Sequence, residues 1–271
     1  MKVSKKSIFI TNVSSILTLS RINSWDDTLI PSLRVHVAPV GDDIPDRILI
    51  PLQVEEADKV YLLTMRGNDV FASRFNLIKQ EMINRGIIRP ERVYEIRENL
   101  YDFTALMCCF ARICREEQVI HHNRVHFNVS TGGKLVAHAA MLASRIFDAI
   151  PYYCKQNYPS KSIPSPPKIL TFPSYPVERP DPEVIQFLVN LRKKMQETKR
   201  EWASKTECLQ FAPSTANVVP STQYKKIKYK YLDKLSKWGF ITIEERLRGK
   251  VRLTDEGHFA AQVFSTYYAI D

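Results

Sequence analysis

Five consecutive residues, Ser130-Thr131-Gly132-Gly133-Lys134, place two hydroxyls, two glycines and an ammonium side by side. They lie between a β-type run, Val125 to Val129, and an alanine-rich run with helical spacing, Lys134 to Phe147. A strand that turns directly into a helix presents the helix's first N–H groups, which carry partial positive charge, and glycine lets a ligand approach that backbone. The chemistry is anion binding, with Lys134 adding a full charge and Ser130 and Thr131 adding hydroxyl donors. A Walker A loop would need glycine where Asn128 stands, and the spacing does not fit G-x-G-x-x-G either. Taken alone, the segment is equally compatible with a tight turn that binds nothing.

The elements needed to hold this turn can be read on either side of it. Strand patterns run over Leu33–Val37, Asp58–Thr64, Arg92–Ile96, Val125–Val129 and Ala149–Cys154, with Ile169–Phe172 as a further short strand. Helical patterns run over Ala72–Arg85, Leu100–Val119 and Lys134–Phe147, and another begins at Asp46. Strands separated by helices predict an α/β fold, a Rossmann-like, mostly parallel sheet with helices on both faces. Ligands of such sheets sit outside the carboxyl ends of the strands. Those ends carry Gly41, Asp42, Asp43 and Arg47, then Thr64 and Arg66, then Arg97, Asn99 and Tyr101. Arginines, hydroxyls and amides along one edge suit a phosphate-bearing ligand. The predicted ligand set is therefore Gly41, Asp42, Asp43, Arg47, Thr64, Arg66, Arg97, Ser130, Thr131, Gly132, Gly133 and Lys134. Helix capping by Asp43 or Asp46, with solvated arginines, is the alternative for single members.

The last third of the chain reads differently. Residues 183–271 hold 16 of the 39 Lys and Arg against 10 of the 29 Asp and Glu, so +6 of the net +10 falls on one third of the sequence. Helices are expected over Pro182–Trp202 and Lys205–Phe211, and a third from a Ser221 cap to Trp238, stopped by Gly239. On the third, Tyr224, Ile227, Tyr231, Leu232 and Leu235 form an apolar stripe with lysines around it. Phe240–Arg246 and Lys250–Thr254 then read as a hairpin turning at Arg248-Gly249, and Asp255 opens a helix ending near Tyr268. This order, with Leu232-x-x-Leu235-x-x-x-Gly239 before the hairpin, resembles an α+β winged helix-turn-helix DNA-binding domain. The third helix would enter the major groove through Ser221, Thr222, Gln223, Lys225, Lys226 and Lys228. Arg246, Arg248, Lys250 and Arg252 on the wing would reach phosphates or the minor groove. The last helix, with Phe259, Val263, Phe264 and Tyr267, is expected to offer a dimer surface.

Composition bounds the rest. Eight of 16 prolines fall between Lys155 and Pro182, so the chain is expected to divide there into residues 1–32, an N-terminal extension; 33–180, a sensor and dimerisation domain; and 181–271, the DNA-binding domain. No run of about 18 apolar residues exists for a membrane span. Met1 to Thr18 lacks the continuous apolar stretch and small-residue cleavage site of a signal peptide. Five cysteines without framework or zinc spacing predict free thiols, a cytoplasmic location and no metal site. Arg115 is followed by His121 after five intervening residues and by His122 after six, at the end of a helix of the sheet domain, and the two adjacent histidines cannot face one site together. No catalytic residue and no cofactor is assigned.

Four runs carry a closer resemblance: VHVAPVGDDIPDR from Val35 to Arg47, ADKVYLLT from Ala57 to Thr64, NVSTGGK from Asn128 to Lys134, and AIPYY from Ala149 to Tyr153. From about Leu33 to the C-terminus the chain resembles an archaeal regulator family that joins a CRISPR-associated Rossmann fold (CARF) domain to a winged helix. The resemblance implies a homodimer that binds a cyclic oligoadenylate across its two-fold axis, with Ser130–Lys134 as the matching turn after the fourth strand. The function so implied is a non-enzymatic, dimeric transcriptional regulator with double-stranded DNA as partner, controlled by that ligand or another nucleotide. Two alternatives stand beside it: slow cleavage of the cyclic oligonucleotide by a ring nuclease, aided by Lys134 and Ser130 or Thr131, and a ligand-free dimerisation scaffold.

Overall fold

The computed structural model describes residues 32–41, 45–155, 168–173, 177–212, 225–244 and 249–270. Strands β1 (Arg34–Pro39), β2 (Lys59–Met65), β3 (Val93–Glu98), β4 (Arg124–Asn128) and β5 (Ile150–Lys155) form one sheet with β6 (Lys168–Thr171). The order across it is β3-β2-β1-β4-β5-β6, parallel throughout except for the antiparallel β5–β6 pair. β1 is central, and five of its six residues are buried, as expected of a strand covered on both faces. It runs two residues beyond the predicted Val37 because Ala38 and Pro39 stay in register with Leu62 and Leu63 of β2.

Helices α1 (Asp46–Val54) and α2 (Asp69–Asn84) cover one face, where Ala38, Val40, Leu62 and Val60 pack with Leu49, Leu52, Phe75 and Ile78. Helices α3 (Phe103–Cys114) and α4 (Lys134–Phe147) cover the other, packing Phe110 edge-on against Phe127 of β4. Side-chain caps start two of the four: Asn68 accepts from Val70 N–H at 3.0 Å, and Asp102 accepts from Ala105 N–H at 2.9 Å.

Beyond Cys114 the predicted long helix widens into a π-helical turn, Arg115–Ile120. The widening carries Glu117 inward to a fully buried site. Its carboxylate accepts from Lys59 Nζ at 2.6 Å, Tyr61 Oη at 2.5 Å and Asn123 Nδ2 at 2.8 Å. The ammonium and the two neutral donors hold the carboxyl below the usual range against the upward push of burial.

The C-terminal elements are α5 (Pro182–Thr198), β7 (Ala203–Ser204), α6 (Lys205–Cys208), a π-helical segment Lys228–Leu232 continuing into α7 (Asp233–Lys237), β8 (Ile241–Ile243), β9 (Lys250–Leu253) and α8 (Asp255–Tyr268). α5 stops short of the predicted Trp202 because Lys199 turns left-handed, at φ 52°, and the chain then enters β7. β7 has no counterpart in the sequence reading. It pairs with β9, so the predicted hairpin is part of a three-stranded antiparallel sheet ordered β7-β9-β8. Gly239, at φ 73°, ends the α7 segment where expected. Ser221, Thr222 and Gln223, the predicted start of that helix, lie outside the described residues.

One hydrophobic core spans both sides of the proline-rich tract. Phe103 at the start of α3 stacks on Phe259 of α8 at 5.9 Å, and Phe147 at the end of α4 stacks on Tyr267 of α8 at 4.7 Å. Val263, Phe264 and Tyr267 are buried in this core, so the apolar face of α8 is not the free dimer surface that its sequence pattern suggested. No helix among the described residues is long and apolar enough to cross a membrane.

Candidate functional site

The strand order reverses direction between β1 and β4, and an open α/β sheet has its ligand crevice at the carboxyl ends of the strands flanking that point. A cleft of about 400 Å³ opens there, lined by Val40 and Gly41 after β1, Met65 ending β2, Phe71 of α2, Leu100 and Tyr101 before α3, and Gly132 to Val136. The two glycines of the turn have different duties. Gly132 is left-handed at φ 77°, and a Cβ there would stand 2.8 Å from the Pro39 Cβ, so glycine lets the turn seat against the end of β1. Gly133 is extended, at φ −74°, and is the N-cap of α4, with open space where a Cβ would go. No side chain caps α4, which leaves its first-turn N–H groups, from Lys134 to Val136, without that partner along the cleft wall.

The residues just before the glycines hold the turn in place. The buried Asn128 donates from Nδ2 to the Arg47 carbonyl at 2.9 Å, while its Oδ1 accepts from Ser130 N–H at 2.9 Å and from the Ser130 hydroxyl. Arg47 Nη1 donates to the Ser130 carbonyl at 3.3 Å. Arg47 and Ser130 therefore clasp the turn to α1, and the Ser130 hydroxyl is already committed to Asn128. The Thr131 hydroxyl is fully buried and has no hydrogen-bond partner among the described residues.

The predicted ligand set divides accordingly. Gly41, Gly132, Gly133 and Lys134 line the cleft; Ser130, Thr131 and Arg47 form its support. Thr64, Arg66 and Arg97 are absent from the lining. Thr64 is buried and donates to Glu95 at 2.8 Å, Arg97 pairs with Glu95 at 3.0 Å, and Arg66 pairs with Glu98 at 2.9 Å. Although β2 and β3 end beside the cleft, these three side chains are taken up by Glu95 and Glu98 of β3. Asp42 and Asp43 lie outside the described residues. The apolar members Met65, Phe71 and Leu100 escaped the sequence reading, which searched strand ends for polar groups.

Beneath the cleft, His36 of β1 and His126 of β4 are paired in register and stack at 4.7 Å, and Tyr152 Oη lies 3.3 Å from His36 Nδ1. Burial pushes the imidazoles down to about 3 and about 4, helped by their proximity and by Arg34 and Arg124. Both rings are neutral at physiological pH. All five cysteines are buried, and burial raises the thiols, to about 12 for Cys109 and Cys208, so they pack as small apolar groups. His121 Nε2 lies 3.1 Å from Glu116 Oε1, at the surface and apart from the cleft.

On the C-terminal elements, Lys225, Lys226 and Lys228 are exposed. Lys230 pairs with Glu183, and Lys234 pairs with Asp181 at 3.2 Å, both at the start of α5. Of the predicted wing cations, Lys250 Nζ lies 4.6 Å from the centre of the Trp202 ring, and Arg252 pairs with Glu244 at 3.3 Å. They lie on the central strand of the small sheet, where packing and pairing engage them. Arg246 and Arg248 lie outside the described residues.

Comparison with known proteins gives three results. Residues 34–158 match the family model described as HFX_2341_N:-like, N-terminal, which spans β1 to β5. No curated protein matches the sequence. Among solved structures the chain is similar to protein VC1899 from Vibrio cholerae, at 13% identity and a TM-score of 0.37 over 86% of this chain and 66% of that one. It is similar to Enterococcus italicus Csm6 bound to cyclic hexa-2'-fluoro-hexa-dAMP, at 15% identity and a TM-score of 0.41 over 77% of this chain and 56% of that one. It is also similar to Can2 from Sulfobacillus thermosulfidooxidans in complex with cyclic tetra-adenylate, at 18% identity and a TM-score of 0.38 over 86% of this chain and 65% of that one. The chain thus spans about 56 to 66% of the length of these proteins.

Proposed function

We propose that the chain is a homodimeric, ligand-controlled regulator that binds double-stranded DNA. Its cleft takes the phosphates of a cyclic oligoadenylate or a related nucleotide, and its C-terminal elements act as a winged helix. The observation that carries this reading is a shared contact. Both walls of the cleft lead into helices that pack on the same helix, α8: the Leu100–Tyr101 loop into the start of α3, at Phe103, and the glycine turn into α4, whose far end, Phe147, stacks on Tyr267. That helix closes the segment bearing the lysine-rich α7 region. A ligand drawing the turn and the loop together would act on α8 through two aromatic stacks, biasing the DNA-binding elements by differential binding to two arrangements. Lys225, Lys226 and Lys228 are the DNA contacts among the described residues. Two copies would pair so that their turns face each other, as the family resemblance implies. The role is one of binding, without catalysis.

The test is fluorescence anisotropy with duplex DNA across a salt series, for the full chain and for a variant with Lys225→Ala, Lys226→Ala and Lys228→Ala. Each lost phosphate contact should flatten the log–log salt slope by about 0.9, so roughly 2–3 units in all. Adding cyclic tetra- or hexa-adenylate should shift the wild-type affinity by about 5–150-fold in one direction. Unchanged slope and affinity in the triple variant would remove the helical turn before α7 from the interface. DNA binding indifferent to the nucleotides would reduce the sheet domain to a scaffold.

A further inference from the structure

The turn accounts for an anion, but the opposite wall of the same cleft is built for something else. Met65, Phe71 and Leu100 are apolar, and Tyr101 stands at the rim with 82% of its surface exposed. An exposed tyrosine on a wandering loop would mean little, but this loop is fixed. Asn99 Oδ1 accepts from Tyr101 N–H at 3.1 Å, the Asn99 carbonyl accepts from Asp102 N–H at 3.2 Å, and Leu100 N–H points to Met65 Sδ at 3.3 Å. Asp102 then caps α3, whose first residue, Phe103, stacks on Phe259. The ring is therefore presented at the cleft, on a rigid backbone, with no protein surface covering it. Across the cleft stand Lys134, the uncapped first turn of α4, and the half-exposed Leu135. The buried Thr131 hydroxyl without a partner lies in that same turn.

Resting on the nucleotide reading above, we infer that Tyr101 is the base-stacking residue of this cleft, closing a subsite for one purine base over Met65, Phe71 and Leu100 while Lys134 and the α4 N-terminus hold the attached phosphate. Flat π-faces stack on tyrosine with little regard to sequence, and an apolar floor admits the base once its edges find water or backbone. About 400 Å³ lies within the range of small-ligand sites and accommodates a single nucleoside phosphate. Larger cyclic ligands would seat one such unit per protomer.

The experiment uses the full chain with adenosine 5′-monophosphate and ribose 5-phosphate as probes, titrated by NMR, and cyclic tetra-adenylate by calorimetry. Wild type and Tyr101→Phe should bind the adenylate more tightly than the sugar phosphate, by about 5–150-fold, the range of one aromatic stack. Tyr101→Ala should abolish that preference and weaken cyclic tetra-adenylate similarly, with its unfolding midpoint unchanged because the ring is exposed. Lys134→Ala should weaken both probes alike. If both probes bind through Lys134 and the preference survives Tyr101→Ala, the base subsite is wrong and the anion turn stands. If neither probe nor the cyclic nucleotide binds, both readings fall.

Discussion

Substituting alanine at Gly132 and at Gly133 separates what the turn needs from what a ligand needs. At Gly132 the new Cβ meets two penalties: the left-handed backbone at φ 77°, and the Pro39 Cβ at 2.8 Å. The first costs about 1–2 kcal/mol for a residue with a Cβ. The second demands that β1's end or the turn shift, although Asn128 and Arg47 hold the turn from below. Against this, alanine reduces the freedom of the unfolded chain, which returns about 0.4–1 kcal/mol. The net expectation for Gly132→Ala is a loss of about 1–3 kcal/mol. At Gly133 the backbone is extended and the Cβ would occupy open space. Alanine is a poorer N-cap than glycine, but the same unfolded-state gain offsets it, so Gly133→Ala should lie within about 0.5 kcal/mol of wild type. Function should reverse the order of interest. A methyl at Gly133 projects where a phosphate would approach the α4 N–H groups, so cyclic oligoadenylate binding should drop while stability holds. Urea unfolding monitored by circular dichroism gives the first quantity and calorimetry the second. An unchanged midpoint for Gly132→Ala, or a large stability loss for Gly133→Ala, would refute the assignment of roles.

Two further outcomes follow from the packing. His36 and His126 are neutral in the fold and titrate normally when unfolded, so their contribution is complete above about pH 6.5 and declines as pH falls toward their folded values of about 3 and about 4. At pH 5 the loss is about 2 kcal/mol for His36 and somewhat less for the partly exposed His126, whereas carboxylates held low, such as Glu117 and Glu207, lose their contribution only below about pH 4.5. Urea midpoints between pH 7.5 and 5 should fall for wild type and about half as steeply for His126→Phe; identical slopes would assign the effect elsewhere. Phe259→Leu should leave nucleotide affinity and DNA affinity each within a few-fold of wild type while bringing the ratio of DNA affinities with and without nucleotide closer to one, and an undiminished ratio would take the Phe103 stack out of the coupling.

Alternation of strands and helices made the parallel sheet legible, because a buried β1 such as VHVAP and an alanine-rich α4 differ in period and composition. The α4 boundaries, Lys134–Phe147, follow from glycines before and Asp148, left-handed at φ 58°, after. The π-helical turn at Arg115–Ile120 was not legible. Its cause is Glu117 reaching Lys59 and Tyr61, residues more than fifty positions away. β7 was hidden for a related reason: two residues have no period, and only β9 defines them as a strand. At the site, the turn announced itself through residue types, whereas its support did not. Nothing local distinguishes Asn128 as the group that ties Ser130 to the Arg47 backbone. Thr64, Arg66 and Arg97 had the right chemistry at strand ends beside the cleft, but Glu95 and Glu98, whose pairing across β2 and β3 no local pattern shows, occupy them.

The same core changes how the two halves of the chain can be interrogated. A sequence that breaks at a proline-rich tract invites deletion of residues 183–271 as the test of DNA binding. The structure argues against that design. Removing α8 would strip Tyr267 and Phe264 from Phe147, Phe259 from Phe103, and the cover from α3, exposing side chains that are now buried at the sheet's α3/α4 face. Truncating one buried phenylalanine to alanine already costs about 3–5 kcal/mol, a large part of a domain's total stability. Lost DNA binding in such a fragment would report unfolding. The exposed lysines of the α7 region carry no such liability, since replacing them removes charge without opening the core. The dependence that spoils the deletion is also what a regulator requires. A helix free of the sheet would be indifferent to the cleft, whereas α8 is stacked on α3 through Phe259 and on α4 through Tyr267, the contacts through which the proposed coupling would run.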